Sequence, residues 1–364
     1  MHTSSQVISL QDFDGNRNNN FTLIRLVFAW LVLFGHSFPI QPTHGMKNPL
    51  NAIFQGSAWI GEFAVNGFFV ISGFLVCASL QNRGVKDYVI SRAIRILPAL
   101  MVCVVASVFV LGPLLTTLPL GEYIQNPATL EYLRNALVVF RMEWTLPGVF
   151  EENRRGAING SLWTLTVEAY CYIILAVFGF WGLLRNRLLA NLSIAGILAF
   201  GYYHFSDIPL LGINDKWSRP SLYFLVGVLF YHNREDIPMD GKLAILSFII
   251  IYASFGEAWF AYVFPVFFAY AIFFLAYGVK HINIDNSLGD VSYGVYIYAW
   301  PVQQIIAQFF PGLNPYTHTL VATPLVFGLA YASWNLVEKP ALGFKKTLMA
   351  FDINYLRTRL AALS

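Results

Sequence analysis

Arg25 and His36 occupy opposite ends of one apolar run, "FTLIRLVFAWLVLFGHSFPI", which begins at residue 21. A permanent cation and an imidazole are both costly in lipid, and both are therefore candidates for chemistry. Eleven residues apart on a helix, they fall nearly on one face and about 16 Å apart along its axis. The plain alternatives are an arginine that snorkels to the headgroups and a histidine hydrogen-bonded at the interface. Their shared face instead matches the long axis of one bound molecule. The third candidate is Glu168, in "NGSLWTLTVEAYCYIILAVF". It lies roughly 10 Å in from Ser161, while His36 lies roughly 22 Å in from Phe21. Across a hydrocarbon layer about 30 Å thick the two reach similar depth. The expectation is a carboxylate that orients the imidazole and stabilises its cation, with His36 as general base. A structural ion pair or an interhelical hydrogen bond is the alternative for Glu168.

Two further segments could bind a ligand. "SRAIRILPAL" sets Arg92 and Arg95 on one helical face, with Pro98 one turn on. They are either basic residues retained at a membrane border or a clamp whose guanidinium forks hold phosphate. "NGFFVISGF" carries Gly67, Ser72 and Gly73, which let a neighbouring helix or a ligand approach the backbone closely. With Trp163 and Tyr172 these are the pocket-lining candidates. The seven histidines are scattered without ligand spacing, and no metal is expected.

The elements that must position these side chains are membrane helices. With 57% hydrophobic and only 12% charged residues over 364 positions, lipid has to be the main solvent. The apolar runs are continuous, unlike the short alternating segments of a barrel. The expected fold is an all-α polytopic protein with about ten transmembrane helices, near 21–40, 60–80, 94–115, 160–184, 189–205, 219–232, 242–255, 258–279, 291–310 and 318–337. Lys and Arg cluster in alternate connections, which places both termini in the cytoplasm. Residues 1–20 read as a polar cytoplasmic segment and not a signal peptide, 21–340 as the membrane domain, and 341–364 as a basic cytoplasmic tail. Cys77, Cys103 and Cys171 lie within apolar runs, with neither metal nor disulfide spacing. A net charge of +3 suggests no nucleic-acid partner. The long connection at 116–157 contains "TLEYLRNALVVF", whose Leu130, Leu133, Leu137 and Phe140 predict an interfacial amphipathic helix. A substrate platform built from Tyr123, Tyr132 or Trp144 is the other reading.

Taken together, the chain resembles the acyltransferase-3 family of integral membrane acyltransferases. The motifs that carry the resemblance are Arg25-x10-His36, "FFVISGF" at 68–74, "RAIRILP" at 92–98, "SLWTLTVEAYCY" at 161–172, "DVSYGVYIYAWPVQQ" at 290–304 and "VEKP" at 337–340. They cover nearly the whole chain in the family's order. The resemblance implies a stand-alone membrane acyltransferase, without an extra extracytoplasmic domain, that transfers groups other than aminoacyl. The group is an acyl, usually acetyl, moved from acetyl-CoA or another acyl-CoA to a hydroxyl of a cell-envelope or exported polysaccharide, free or lipid-linked. It implies a multi-pass protein of a bacterial inner membrane with acyl-CoA as co-substrate, no permanently bound cofactor, and membrane lipid and glycan as its partners. Arg25 and His36 match the family's essential motif, Arg92 and Arg95 its donor-side arginines, and Glu168 the acid of its Trp-x4-Glu segment. One departure is Ala299 in "YIYAWP", where many relatives carry histidine. The reading of a different class is a transporter or flippase that moves a glycan or donor without covalent catalysis.

Overall fold

Apolar segments favour helix in lipid because every backbone N–H and C=O then finds its partner within the segment. The computed structural model describes residues 8–138 and 142–350. Among these, nine long helices carry the architecture: α1 (Phe21–Ile40), α2 (Ile60–Ala106), α3 (Trp163–Phe180), α4 (Arg187–His204), α5 (Ser218–His232), α6 (Gly241–Ser254), α7 (Phe260–Phe273), α8 (Ser292–Phe309) and α9 (Pro315–Ser333). No strand occurs among the described residues, apart from an isolated bridge between Ser9 and Pro238.

Each expected span has a helical counterpart. The second and third lie within α2, which breaks at Gly84 with φ 78° and ψ 167°, a backbone conformation that suits glycine. Five helical stretches are long and apolar enough to cross a membrane: Phe21–Ile40, Ile60–Leu115, Trp163–Phe180, Phe260–Gly278 and Pro315–Ala350. Arg187–Gly201 and Gly241–Ser254 are shorter apolar helices. Helix length thus accounts for fewer crossings than the ten expected from hydropathy.

Close packing of α2 on α5 depends on two glycines. A Cβ on Gly73 would stand 2.0 Å from the Phe224 carbonyl oxygen, and one on Gly227 would stand 2.2 Å from that of Val70. The backbones touch there, as small residues permit between membrane helices. On the other flank, α1, α8 and α9 meet around Ser37. Gln303 Nε2 donates to Ser37 Oγ at 2.8 Å and to the Leu33 carbonyl at 2.9 Å. Thr319 donates to the same serine at 2.8 Å, and His318 Nδ1 lies 3.1 Å from it. This buried network fixes the end of α1 that carries His36.

Parts of the termini are structured. Leu10 is buried, and its N–H donates to the Ile237 carbonyl at 2.8 Å. Asn20 caps the end of α7, accepting from Ile282 N at 2.8 Å and donating to the Leu275 carbonyl at 3.1 Å. At the other end Lys345 pairs with Asp87 at 2.8 Å, while residues 351–364 lie outside the described residues.

The predicted interfacial helix is helical from its start to Leu137, an α-helical turn passing into a 3-10 helix, and ends at Val138 with φ 50°. The connection as a whole forms Leu120–Gln125, Pro127–Glu131 and the 3-10 helix Tyr132–Leu137. Pro127 has no N–H to continue the first helix and forces Asn126 into an extended conformation. Asn126 Oδ1 caps the second piece instead, accepting from Ala128 N at 3.0 Å. Phe140 lies outside the described residues. Tyr123 and Tyr132 are buried, and Tyr123 donates to the Val108 carbonyl just beyond α2 at 2.8 Å, so these two rings offer no platform, whereas Trp144 is exposed.

Candidate active site

Apart from the network around Ser37, polar side chains of the membrane domain line two cavities. The first, of about 130 Å³, takes Arg25 from α1, Ser72, Arg92 and Arg95 from α2, and Glu168 and Tyr172 from α3. Two of the three arginines, Arg25 and Arg95, take counter-charge from residues just before α8 and after α9. Asp290 Oδ2 lies 2.7 Å from Arg95 and 3.2 Å from Arg25, and Glu338 lies 3.9 Å from Arg95. Ser292 donates to the other Asp290 oxygen at 2.6 Å. Burial pushes the Asp290 carboxyl up, but the Arg25 and Arg95 guanidiniums and the Ser292 hydroxyl outweigh it and hold it at about 2. Asp290 is therefore ionised throughout the neutral range.

Arg92 differs from its neighbours. Among the described residues it has no carboxylate partner; its guanidinium lies 6.0 Å from the centre of the Tyr172 ring, and its Nε is buried without a hydrogen bond. The Arg25 Nε is likewise buried and unpartnered. These donors suit an anionic or carbonyl-bearing ligand better than a dry interior.

The second cavity, of about 510 Å³, is lined by His36, Trp59, Asn66, Ser161 and Trp163, with Glu62, Asp215, Lys216 and Arg219 toward its rim. His36 is held by aromatic contacts. The Trp300 ring meets it edge-on at 4.7 Å and the Trp59 ring lies tilted at 5.5 Å. Trp300 is itself pinned by donating Nε1 to the Ala157 carbonyl at 2.9 Å. The His36 Nδ1 is buried with no hydrogen-bond partner among the described residues. Ala299 is fully buried in the core of α8, one residue before that tryptophan.

The two cavities share a wall. Val65, Thr164 and Tyr296 line both. The Tyr296 hydroxyl lies 2.6 Å from Thr164 Oγ1 and 3.2 Å from the Ser161 carbonyl, closing the wall with hydrogen bonds.

This division corrects the expected pairing of Glu168 with His36. Glu168 opens on the arginine cavity, where it accepts from Ser72 Oγ at 2.9 Å and from the Tyr172 hydroxyl. The physical reason is one turn of helix. Thr164, four residues earlier on the same face, reaches the shared wall, which leaves Glu168 about 6 Å further along the axis on the arginine side. Depth counted from helix boundaries cannot resolve a shift of that size. Gly67 and Gly73 also require correction as pocket-lining residues, since neither lines these cavities. Gly67 faces the Phe28 ring, where a Cβ would meet it at 2.2 Å, and Gly73 faces the α5 backbone. Ser72 and Tyr172 line the arginine cavity and Trp163 the histidine cavity.

Several residues of the site were not singled out by sequence reasoning: Asp290, Glu338, Tyr296, Thr164, Asn66, Ser161, Trp59 and Trp300. Asp290 and Glu338 carried a readable signal, since acidic residues beside apolar runs are few and each borders one. The others are ordinary neutral residues that matter only through placement.

The whole architecture matches a known family. The acyltransferase-3 model, an acyltransferase domain, covers residues 18–335, and the chain belongs to that family of membrane acyltransferases. The chain is 28% identical to an O-acetyl transferase of Shigella phage Sf6, an alignment spanning 93% of this chain and 100% of the phage protein. It is 26% identical to Nodulation protein 10 of Rhizobium leguminosarum bv. viciae, over 93% of this chain and 97% of the relative. No solved structure matches. The protein is accordingly an acyltransferase, and O-acyl transfer is the reaction class these similarities support.

Proposed function

We propose that the protein moves an acyl group, acetyl in the first instance, from cytoplasmic acyl-CoA to a glycan hydroxyl presented at the opposite face of the membrane. The observation that carries this reading is the pair of cavities meeting at Val65, Thr164 and Tyr296, one cationic and one bearing an unpartnered imidazole. Arg92, with no carboxylate partner among the described residues, is the donor-binding charge, and Arg25 and Arg95 form a fork held in place by Asp290. A cavity of about 130 Å³ is near the size that holds one benzene molecule, so it fits a stretch of pantetheine arm and not the nucleotide. The nucleotide therefore stays at the cytoplasmic opening, and the thioester advances toward the shared wall.

In the chemical step His36 takes the proton of the acceptor hydroxyl as the oxygen attacks the thioester carbonyl. The new C–O bond forms, the C–S bond breaks, and the thiolate leaves toward the arginine cavity, where solvent protonates it while His36 returns its proton to solvent through the other cavity. Glu168 acts on the donor side, positioning Ser72 and Tyr172 through their hydrogen bonds, and does not act on the imidazole. The working arrangement is about ten crossings, both termini cytoplasmic, in a bacterial inner membrane, with polysaccharide of the cell envelope as acceptor.

Purified protein in lipid nanodiscs, given acetyl-CoA and a glycan acceptor, tests this directly. Free coenzyme A should appear together with acetylated product, His36→Gln and His36→Ala should lose at least about a hundredfold in rate, and both should still bind coenzyme A. Glycan transfer across proteoliposomes without any release of coenzyme A would establish a transporter instead.

A further inference from the structure

The histidine cavity contains more hydrogen-bonding capacity than a general base requires. Three of its lining residues carry a buried polar atom with no partner among the described residues: His36 Nδ1, Asn66 Oδ1 and Ser161 Oγ. They come from three different elements, α1, α2 and the turn before α3, and are 8%, 3% and 1% exposed. Leaving such atoms unpaired costs on the order of 1–3 kcal/mol each, so three lining one cavity mark a place built to receive hydrogen bonds. An amide oxygen accepts, a neutral imidazole nitrogen accepts, and a serine hydroxyl does either. Their natural complement is a set of neighbouring O–H donors. Trp59 and Trp163 line the same space and supply broad apolar faces beside these polar points, the pattern of a small-molecule site.

The charge of the cavity narrows the ligand further. Its ionised lining residues are Glu62, Asp215, Lys216 and Arg219, two negative against two positive, and Glu62 is paired with Arg219. The lining therefore carries no net charge, and the one cation without an ion pair among the described residues, Lys216, is exposed at the rim, away from a buried carboxylate or phosphate pocket. We infer that the histidine cavity is an acceptor site selective for an uncharged pyranose, with Asn66 and Ser161 binding hydroxyls next to the one that faces His36. This inference rests on the reading of the chain as an O-acyltransferase and adds to it the acceptor's chemical class and two binding residues.

The test uses the full-length protein in nanodiscs, without donor, and follows tryptophan fluorescence as methyl hexopyranosides are added, with methyl hexopyranosiduronates as the charged counterparts. Neutral glycosides should bind at least about tenfold more tightly than the uronates. Asn66→Ala and Ser161→Ala should each weaken neutral-glycoside binding by about tenfold, the effect of one buried hydrogen bond, and leave coenzyme A binding unchanged. Ser161→Ala removes a single oxygen and decides the matter alone if Asn66→Ala fails to fold. Equal or tighter binding of uronates, binding unaffected by either substitution, or no glycoside binding by a protein that binds coenzyme A would each overturn the proposal. Sugar binding that depends on Asn66 and Ser161 in a protein that never acylates would uphold the site and refute the acyltransferase reading.

Discussion

At the scale of single residues, the arginine cavity separates groups that sequence alone treats alike. Arg92 and Arg95 stand three residues apart on one helical face, yet Arg95 is shared between Asp290 and Glu338 while Arg92 has no carboxylate among the described residues. Deleting Arg92 should therefore remove a ligand contact, and deleting Arg95 should remove a structural one. Arg92→Ala is expected to raise KM for acyl-CoA by about tenfold or more with little change in melting temperature, the loss of one charge-assisted hydrogen bond. Asp290→Asn should do the reverse. It leaves two partly buried guanidiniums without their shared anion, at a cost on the order of 2 kcal/mol, between the limits for exposed and buried pairs. The sign with pH follows from the depressed Asp290 pKa: its contribution is fully present above about 4 and is lost as pH falls through about 2. The wild type and Asp290→Asn should thus differ in thermal stability by a constant amount from pH 5 to 8, which a melting series reads. A difference that shrinks within that range would contradict the ionised pair.

Between helices, the decisive feature is the wall formed by Val65, Thr164 and Tyr296. It stands where the proposed donor and acceptor sides meet, so removing a side chain from it should widen the passage between the two cavities. Leu75 lines the arginine cavity, and the native cysteines are all buried, which allows a single reporter thiol. In Leu75→Cys, a negatively charged thiosulfonate applied from the His36 side should label slowly. Adding Tyr296→Ala, which removes the ring and its hydrogen bond to Thr164, should speed labelling at least tenfold; unchanged labelling would mean the wall lies elsewhere. This wall also marks how far the sequence could be read. Helix identities and the arginine and histidine segments were legible, because hydropathy and intramembrane charge report them directly. The pairing of Glu168 with His36 was not, since depth says how far along a helix a side chain lies and nothing of which cavity it enters. Gly67 and Gly73 were read as pocket residues for a related reason: close approach by a helix and by a ligand demand the same small side chain. Asn66 and Ser161 left no signal at all, because an unpartnered polar atom is a property of its surroundings.

Over the whole molecule, the two cavities open toward opposite ends of the bundle, so sidedness and chemistry become one question. Arg25 follows Asn20, whose side chain bonds to the carbonyls at the end of α7 and to Ile282 N, and Asp290 closes the same connection before α8. The arginine cavity therefore belongs to the face that carries Lys280, and His36 to the face that carries the connection at 41–59. Lys and Arg distribution predicts that the first of these faces is cytoplasmic. Three variants, each adding one exposed cysteine to the three buried native ones, test it in intact cells with a membrane-impermeant maleimide: His44→Cys, Ile213→Cys and Lys280→Cys. The first two should label from outside and the third only after permeabilisation. Labelling of His44→Cys but not Ile213→Cys would show that the shorter helices α4 and α5 do not both cross, and would lower the number of spans while leaving the site intact. External labelling of Lys280→Cys would have the larger consequence. The arginine cavity would then face away from cytoplasmic acyl-CoA, and the assignment of Arg92 to the donor would fail however well the cavity fits it.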